Sequence, residues 1–313
     1  MRMTAGDLIL MLLFMVQTVI GVPGNICLLL TYASTACTSQ IPRPTHLILT
    51  NLAVANFLVL LFKGIPQMIF MWGVTNILGN IACKHVYYIH RTARGLSLCA
   101  TCHLSSIQAI TISPRTGVWL KLKDTALRNT GFSCFLWGIS NLLINIFVPI
   151  MVQTLQQIHN SSMTWNYGLC SSKSPDLSST VIYTILMTFP DVFMGLMSGA
   201  SVYMVLLLHR HHQRVRHIHT LSTSHSFSPE AKATQIILLL ATTFILFYFI
   251  NSILTLYSTF YSPSVPWLQH TTTFLVACHP TLRGLILILQ DLKAQNFCSL
   301  MMKEKFQTTS SYY

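Results

Sequence analysis

Almost uncharged runs long enough to cross a bilayer dominate this chain: residues 8–33, 46–70, 130–152, 179–208, 233–258 and 268–290. A hydrocarbon core about 30 Å thick takes about 20 residues of helix, and a helix satisfies its own backbone donors and acceptors there. Only 8% of the residues are charged, where a soluble domain carries about a quarter. These runs predict an all-α membrane protein, folded as a single domain over residues 1–313. The first run continues to about Tyr32 with no small-residue cleavage site after a short apolar core, so it reads as a retained helix.

The number of crossings turns on residues 84–112, where Arg91 and Arg94 interrupt the apolar pattern. Lys and Arg collect in short cytoplasmic segments. If 84–112 spans and the N-terminus is extracellular, the cytoplasmic segments are 34–45, 113–129, 209–232 and a tail at 291–313. They then hold twelve basic residues, among them Arg43, Arg115, Lys121, Lys123, Arg128, Arg210, Arg214, Arg216 and Lys232, while Arg2 and Lys173 lie outside. Six crossings would turn two of those basic segments outward. The expectation is a seven-helix transmembrane bundle, with the C-terminus cytoplasmic.

The same topology puts Asn160-Ser161-Ser162, the chain's one N-x-[ST] sequon, in an outer loop where glycosylation is possible. It also puts Cys83 and Cys170 on the outer side, where an oxidising compartment permits a bridge. Closing a loop of that size contributes about 4–5 kcal/mol at most, an upper bound for helices already held in lipid.

Several motifs point elsewhere and carry less. The stretch "HRHHQRVRHIH" at 209–219 has five histidines and three arginines. It falls in the third cytoplasmic segment, where basic residues first report topology. No second ligand motif argues for zinc, and no aromatic interleaving or separate domain argues for nucleic acid. "CATCH" at 99–103 matches the covalent haem pattern. Within a membrane helix it reads as a small-residue packing face. No P-loop, H-E-x-x-H or G-x-S-x-G pattern occurs, and the seven acidic residues leave little for acid–base catalysis. The chain reads as a non-enzyme without cofactor or metal. A transporter or channel stays a distant alternative, with no legible repeat or filter.

Charge inside the membrane is costly and marks function by default. Lys63, Arg91 and Arg94 fall in the outer half of the bundle, and Lys84, Tyr87, Arg91 and Arg94 recur at helical spacing. Asp191, beside Pro190, is the one opposite charge at comparable depth. One reading makes Lys63, Tyr87, Arg91, Arg94 and Asp191 the pocket for an anionic or steroid-like amphiphile. The other pairs an arginine with Asp191 and lets the remaining cations snorkel to headgroups. Both stay open at this point.

Six blocks together carry a resemblance to a known family. They are "GVPGNICLLL", "HLILTNLAVANFLVLLFKGIPQ", "HLSSIQAITISP", "FPDVFMGLMSGASVYMVLLLHRHHQRVRHIHT", "SPEAKATQIILLLATTFILFYFINSI" and "ACHPT". In these the chain resembles the vomeronasal type-1 (pheromone) receptors, a family of G-protein-coupled receptors, nearly end to end. The resemblance implies a plasma-membrane receptor for small pheromone-like molecules coupled to an inhibitory-type heterotrimeric G protein. It also implies a Cys83–Cys170 bridge and glycosylation at Asn160. Arg115, Lys121, Lys123, Arg210, Arg214 and Arg216 are then G-protein-facing candidates, lipid-facing solvated charge being the alternative for each. The tail could lie along the membrane with Cys298 as a palmitoylation candidate, or carry it unmodified.

Like the family it resembles, the chain departs from rhodopsin-like receptors: no Asp-Arg-Tyr ends helix three, and Asn56 stands where those receptors carry a helix-two carboxylate, the usual sodium ligand. One departure is from the vomeronasal family itself. After "HPT", where the family usually continues Ser-Pro-Phe, this chain reads Leu282-Arg283-Gly284-Leu285. Either Arg283 reaches the cytoplasmic boundary, or the chain has lost signalling.

Overall fold

A computed structural model describes residues 5–38, 44–74, 79–113, 117–154, 164–166, 170–173, 192–207, 209–210, 229–260, 268 and 270–289. Helix α1 spans Ala5–Thr38 and α2 spans Pro44–Val59. A π-helical turn, Leu60–Gly64, leads from α2 into α3, Ile65–Met71. Next come α4 over Asn80–Ile112, α5 over Gly117–Arg128 and α6 over Thr130–Ile144. A 3-10 turn, Asn145–Phe147, joins α6 to α7, Val148–Met151. Helix α8 covers Val192–Leu207, α9 Pro229–Phe260 and α10 His270–Leu289. Six of these units are long and apolar enough to cross a membrane, and α8 is a shorter apolar helix. Together they form the seven-helix bundle.

Helix α4 is the hub. It packs against α2, α6, α7 and α9, and α2 packs in turn on α1. It is also the least apolar and most buried of the long spans, which is what a central membrane helix requires. Small and polar residues such as Ala93, Ser97, Ala100 and Ser105 line its buried side and let neighbouring backbones come close. Gly95 marks the tightest approach, because a Cβ there would overlap the Asn141 amide of α6. The peripheral helices turn Leu12, Val16, Phe132, Phe135, Leu246 and Phe249 outward. On a membrane protein that apolar exterior is the lipid-facing surface.

Between α7 and α8 lies a feature that the apolar pattern does not announce. Strands β1 (Val152–Thr154), β2 (Thr164–Asn166) and β3 (Cys170–Lys173) make an antiparallel sheet in the order β1-β3-β2. Thr154 pairs with Cys170 and Asn166 with Ser171. Cys170 is bonded to Cys83 in the first turn of α4, so the sheet is pinned over that end of the bundle. Val148, Phe70, Tyr87 and Ile144 pack around the bridge. The segment 113–129, read from sequence as a basic connection, is largely helical. Helix α5 fills it from Gly117 to Arg128, and all its residues are at least partly exposed.

Candidate ligand-binding cavity

The cations of the bundle are positioned by local backbone chemistry. Lys63 lies in the π-helical turn, where the Ile65 N–H reaches back to the Leu60 carbonyl. Pro66 follows, and its ring and missing N–H disfavour a regular turn just before it; widening the helix by one residue relieves that conflict. The Lys63 ammonium then sits 5.8 Å from the centroid of the Tyr87 ring on α4. Such a contact contributes about 1–2 kcal/mol when partly desolvated.

Arg91 and Arg94 are one turn apart on α4 but face different neighbours. Arg91 Nε donates to Asn145 Oδ1 at 3.2 Å, and Asn145 Nδ2 donates in turn to the Asn141 carbonyl at 2.8 Å. That draws Arg91 toward the α6–α7 junction. Arg94 instead faces α9, with its guanidinium carbon 5.5 Å from the Tyr248 ring centroid. With the Asn251 amide oriented to satisfy both neighbours, Arg94 Nη2 donates to Asn251 Oδ1 at 3.2 Å and Asn251 Nδ2 donates to the Thr272 carbonyl.

Beneath that contact is a narrow, open-mouthed cleft. Arg94 and Ser97 of α4, Asn56 and Val59 of α2, Tyr248 and Asn251 of α9, and His279 of α10 are among the residues that line it. The remaining wall is apolar: Phe244, Phe247, Leu275, Val276 and Pro280. Polarity is concentrated at two levels. Arg94 and Asn251 mark the level nearer the disulfide, at about 16 Å below Cys83 for a rise of 1.5 Å per residue. Asn56, Ser97 and His279 mark the deeper level, where Ser97 Oγ donates to Asn56 Oδ1 at 2.8 Å. The space between is aromatic and aliphatic.

Of the pocket candidates drawn from the sequence, the cleft takes in Arg94. Lys63 and Tyr87 form a neighbouring pair, and Arg91 turns to Asn145. Asn56, Ser97, Tyr248, Asn251 and His279 were missed as lining residues. The one available signal was that they are polar or amphipathic positions within otherwise apolar spans.

Arg283 resolves differently from the boundary alternative raised by the sequence. It is 1% exposed, in the interior of the bundle. Its Nη1 donates to Thr101 Oγ1 on α4, and its guanidinium carbon lies 5.9 Å from the Phe244 ring centroid. Gly284, beside it, makes room for Asn25, because a Cβ there would come 3.0 Å from Asn25 Nδ2. Arg283 therefore does not reach the end of the helix, where its charge could meet water.

The "CATCH" run is a packing surface. Cys99 and Cys102 are buried with Leu98, Phe193, Met197, Ala241 and Phe244, and Asn141 Nδ2 lies 3.4 Å from Cys99 Sγ. Lys121 and Lys123 lie on α5, and Lys121 and Arg210 are exposed. Asn160, Asp191, Arg115, Arg214, Arg216 and Cys298 fall outside the described residues, as does most of the histidine-rich stretch.

The comparisons with known proteins agree with this architecture. The profile of the vomeronasal organ pheromone receptor family matches residues 9–300. Human vomeronasal type-1 receptor 4 is 39% identical over 283 residues, covering 90% of this chain and 94% of the relative. Human vomeronasal type-1 receptor 3 is 37% identical over 288 residues, covering 91% and 92%. Olfactory receptor class A-like protein 1 of Danio rerio is 30% identical over 298 residues, covering 93% of both. A match spanning all the helices, on a bundle with this disulfide, leaves one assignment. The chain belongs to the vomeronasal type-1 pheromone receptor family, and is a multi-pass membrane receptor of the G-protein-coupled type, not an enzyme.

Proposed function

We propose that the cleft between α2, α4, α9 and α10 binds a mostly apolar semiochemical with an acidic or strongly hydrogen-bond-accepting group, steroid-like molecules included. Arg94 is its counter-charge, and the signal passes to an inhibitory-type G protein. The observation that carries this reading is the cleft's polarity: a half-buried guanidinium beside Asn251, above a wall of Phe244, Phe247, Leu275 and Val276. Lys63 and Tyr87 extend the cationic character toward the disulfide end. Asp191 is the remaining member of the set, a carboxylate to balance the cations.

Activation is a ligand-shifted equilibrium between two bundle packings. The ligand's acid holds Arg94 of α4, and its apolar body presses on Phe244 and Tyr248 of α9. Relative motion of those two helices is transmitted to their far ends. In the proposed orientation the disulfide end and the N-terminus are extracellular, with Asn160 glycosylated there. The opposite face presents α5 with Lys121 and Lys123, together with Arg115, Arg210, Arg214 and Arg216, to the G protein. Cys298 anchors the tail through palmitoylation. The inhibitory coupling is supported by family resemblance alone.

The test uses acidic steroid-like compounds and their uncharged amides on cells expressing the receptor, with G-protein activation as the readout. Acids are expected to activate the wild type better than amides. Arg94→Gln should erase that preference while the receptor still reaches the surface. Equal responses to acid and amide in the wild type would sink the assignment of Arg94. Loss of the response in cells lacking the inhibitory-type α subunit checks the coupling.

A second reading, a receptor that no longer signals, is favoured by the Arg283–Thr101 bond that ties α10 to α4. It predicts a wild type that binds ligand silently and an Arg283→Gln variant that signals.

A further inference from the structure

The deeper level of the bundle holds unfilled hydrogen-bond donors with a positive charge among them. Arg283 is 1% exposed and Asn56 is 1% exposed, with His279 at 8%. Arg283 spends Nη1 on Thr101, but its Nε and Nη2 have no hydrogen-bond partner among the described residues. The same holds for Asn56 Nδ2 and His279 Nε2.

These groups share one neighbourhood. His279 and Arg283 are one turn apart on α10, and both lie against Phe244, the His279 ring at 4.1 Å between centroids and the Arg283 guanidinium at 5.9 Å. Thr101, which holds Arg283, donates to the carbonyl of Ser97, and Ser97 holds Asn56. Asn56, Ser97, His279 and Phe244 all line the deep level of the cleft, and Arg283 is one helical turn beyond His279. The nearby acceptors without partners, Asn25 Oδ1 and Ser105 Oγ, are neutral and leave the charge standing. Acidic positions among the described residues are Asp7, Asp124 and Glu230, near the helix starts or on α5, not in this layer.

A buried cation with free N–H groups is stabilised by an anion that accepts from them. We propose that Arg283, His279 and Asn56 form a binding site for a small monoanion of the chloride class at the floor of the ligand cleft. One net positive charge matches one negative charge. Donors contributed by α2 and α10 within one layer suit a spherical acceptor without a preferred bonding direction. Occupancy ties α2, α4 and α10 together, so the ion stabilises whichever bundle packing brings those donors within reach of it.

The test measures the thermal midpoint of the purified full chain in lipid nanodiscs, with chloride titrated against gluconate at constant ionic strength. Gluconate is too large for the buried layer. The wild type should gain several degrees as chloride rises, with saturation, and bromide should substitute. Arg283→Gln should abolish the gain, and Arg283→Lys should retain part of it. If Arg283→Gln cannot be purified, excess broadening of the chloride NMR line by the wild type, relieved by bromide, replaces it. A wild type indifferent to chloride overturns the proposal, as does a chloride gain that survives Arg283→Gln. Arg94→Gln should leave the chloride response intact while losing the preference for acidic ligands, so the two sites fail separately.

Discussion

Two arginines in this bundle, Arg94 and Arg283, show how the same side chain does different work in different layers. Arg94 is half-buried at the edge of a cleft, lies over Tyr248 and bonds Asn251. Arg283 is sealed inside, lies over Phe244 and bonds Thr101 with one of its nitrogens. Both use an aromatic face for part of the solvation they lose, and both bridge α4 to a later helix. What differs is access. A cation at a cleft can be completed by a ligand from solution, whereas one behind the cleft floor must be completed by something small, or left strained. The lesson is that an intramembrane charge is informative through its unfilled hydrogen bonds, not its presence alone.

The comparison breaks first at Arg283. Removing a buried cation eliminates a desolvation cost of several kcal/mol. Arg283→Met should therefore stabilise the receptor by about 1–4 kcal/mol in gluconate, and by less in chloride. Chemical or thermal denaturation in nanodiscs would read the difference, and a destabilised Arg283→Met variant in gluconate would remove the contrast with Arg94. A smaller effect is expected at Gly284. Its substitution by Ala presses on Asn25, which donates to the carbonyls of Gly21 at 2.8 Å and Pro280 at 3.3 Å. Losing one such bond costs about 1 kcal/mol, measurable as a lower melting point. The smallest concerns Tyr248. Tyr248→Leu removes the face under Arg94 and should weaken binding of an acidic ligand by about 0.5–1 kcal/mol, with Phe at that position restoring most of it.

Much of the fold is legible because each span repeats one physical requirement, about 20 apolar residues. The difficult helix, α4, is the one whose central position demands small and polar residues, and there only the charges of the connecting segments decide. The sheet over Cys170 escapes notice because strands of three or four residues leave no alternation to read. The cleft is harder. Helix α9 is apolar on all sides, so its sequence does not say which face meets α4, and Asn251 is hidden in that uniformity. Helical spacing places Arg91 and Arg94 on one stripe of α4, yet Asn145 captures Arg91 while Tyr248 and Asn251 face Arg94. Such choices are made between helices, and local sequence does not encode them. Arg283 is the reverse case: its oddity is plain in the sequence, but its depth is not.

The central claim is that Arg94 supplies the charge recognised in the cleft. Its most direct test is a binding cycle on the purified receptor, pairing an acidic ligand and its amide with wild type and Arg94→Gln. The account predicts that the acid binds the wild type about 10–100-fold more tightly than the amide, corresponding to about 1.5–3 kcal/mol for a hydrogen bond to a charged group, and that the variant binds both alike. An acid preference of equal size in Arg94→Gln would contradict it.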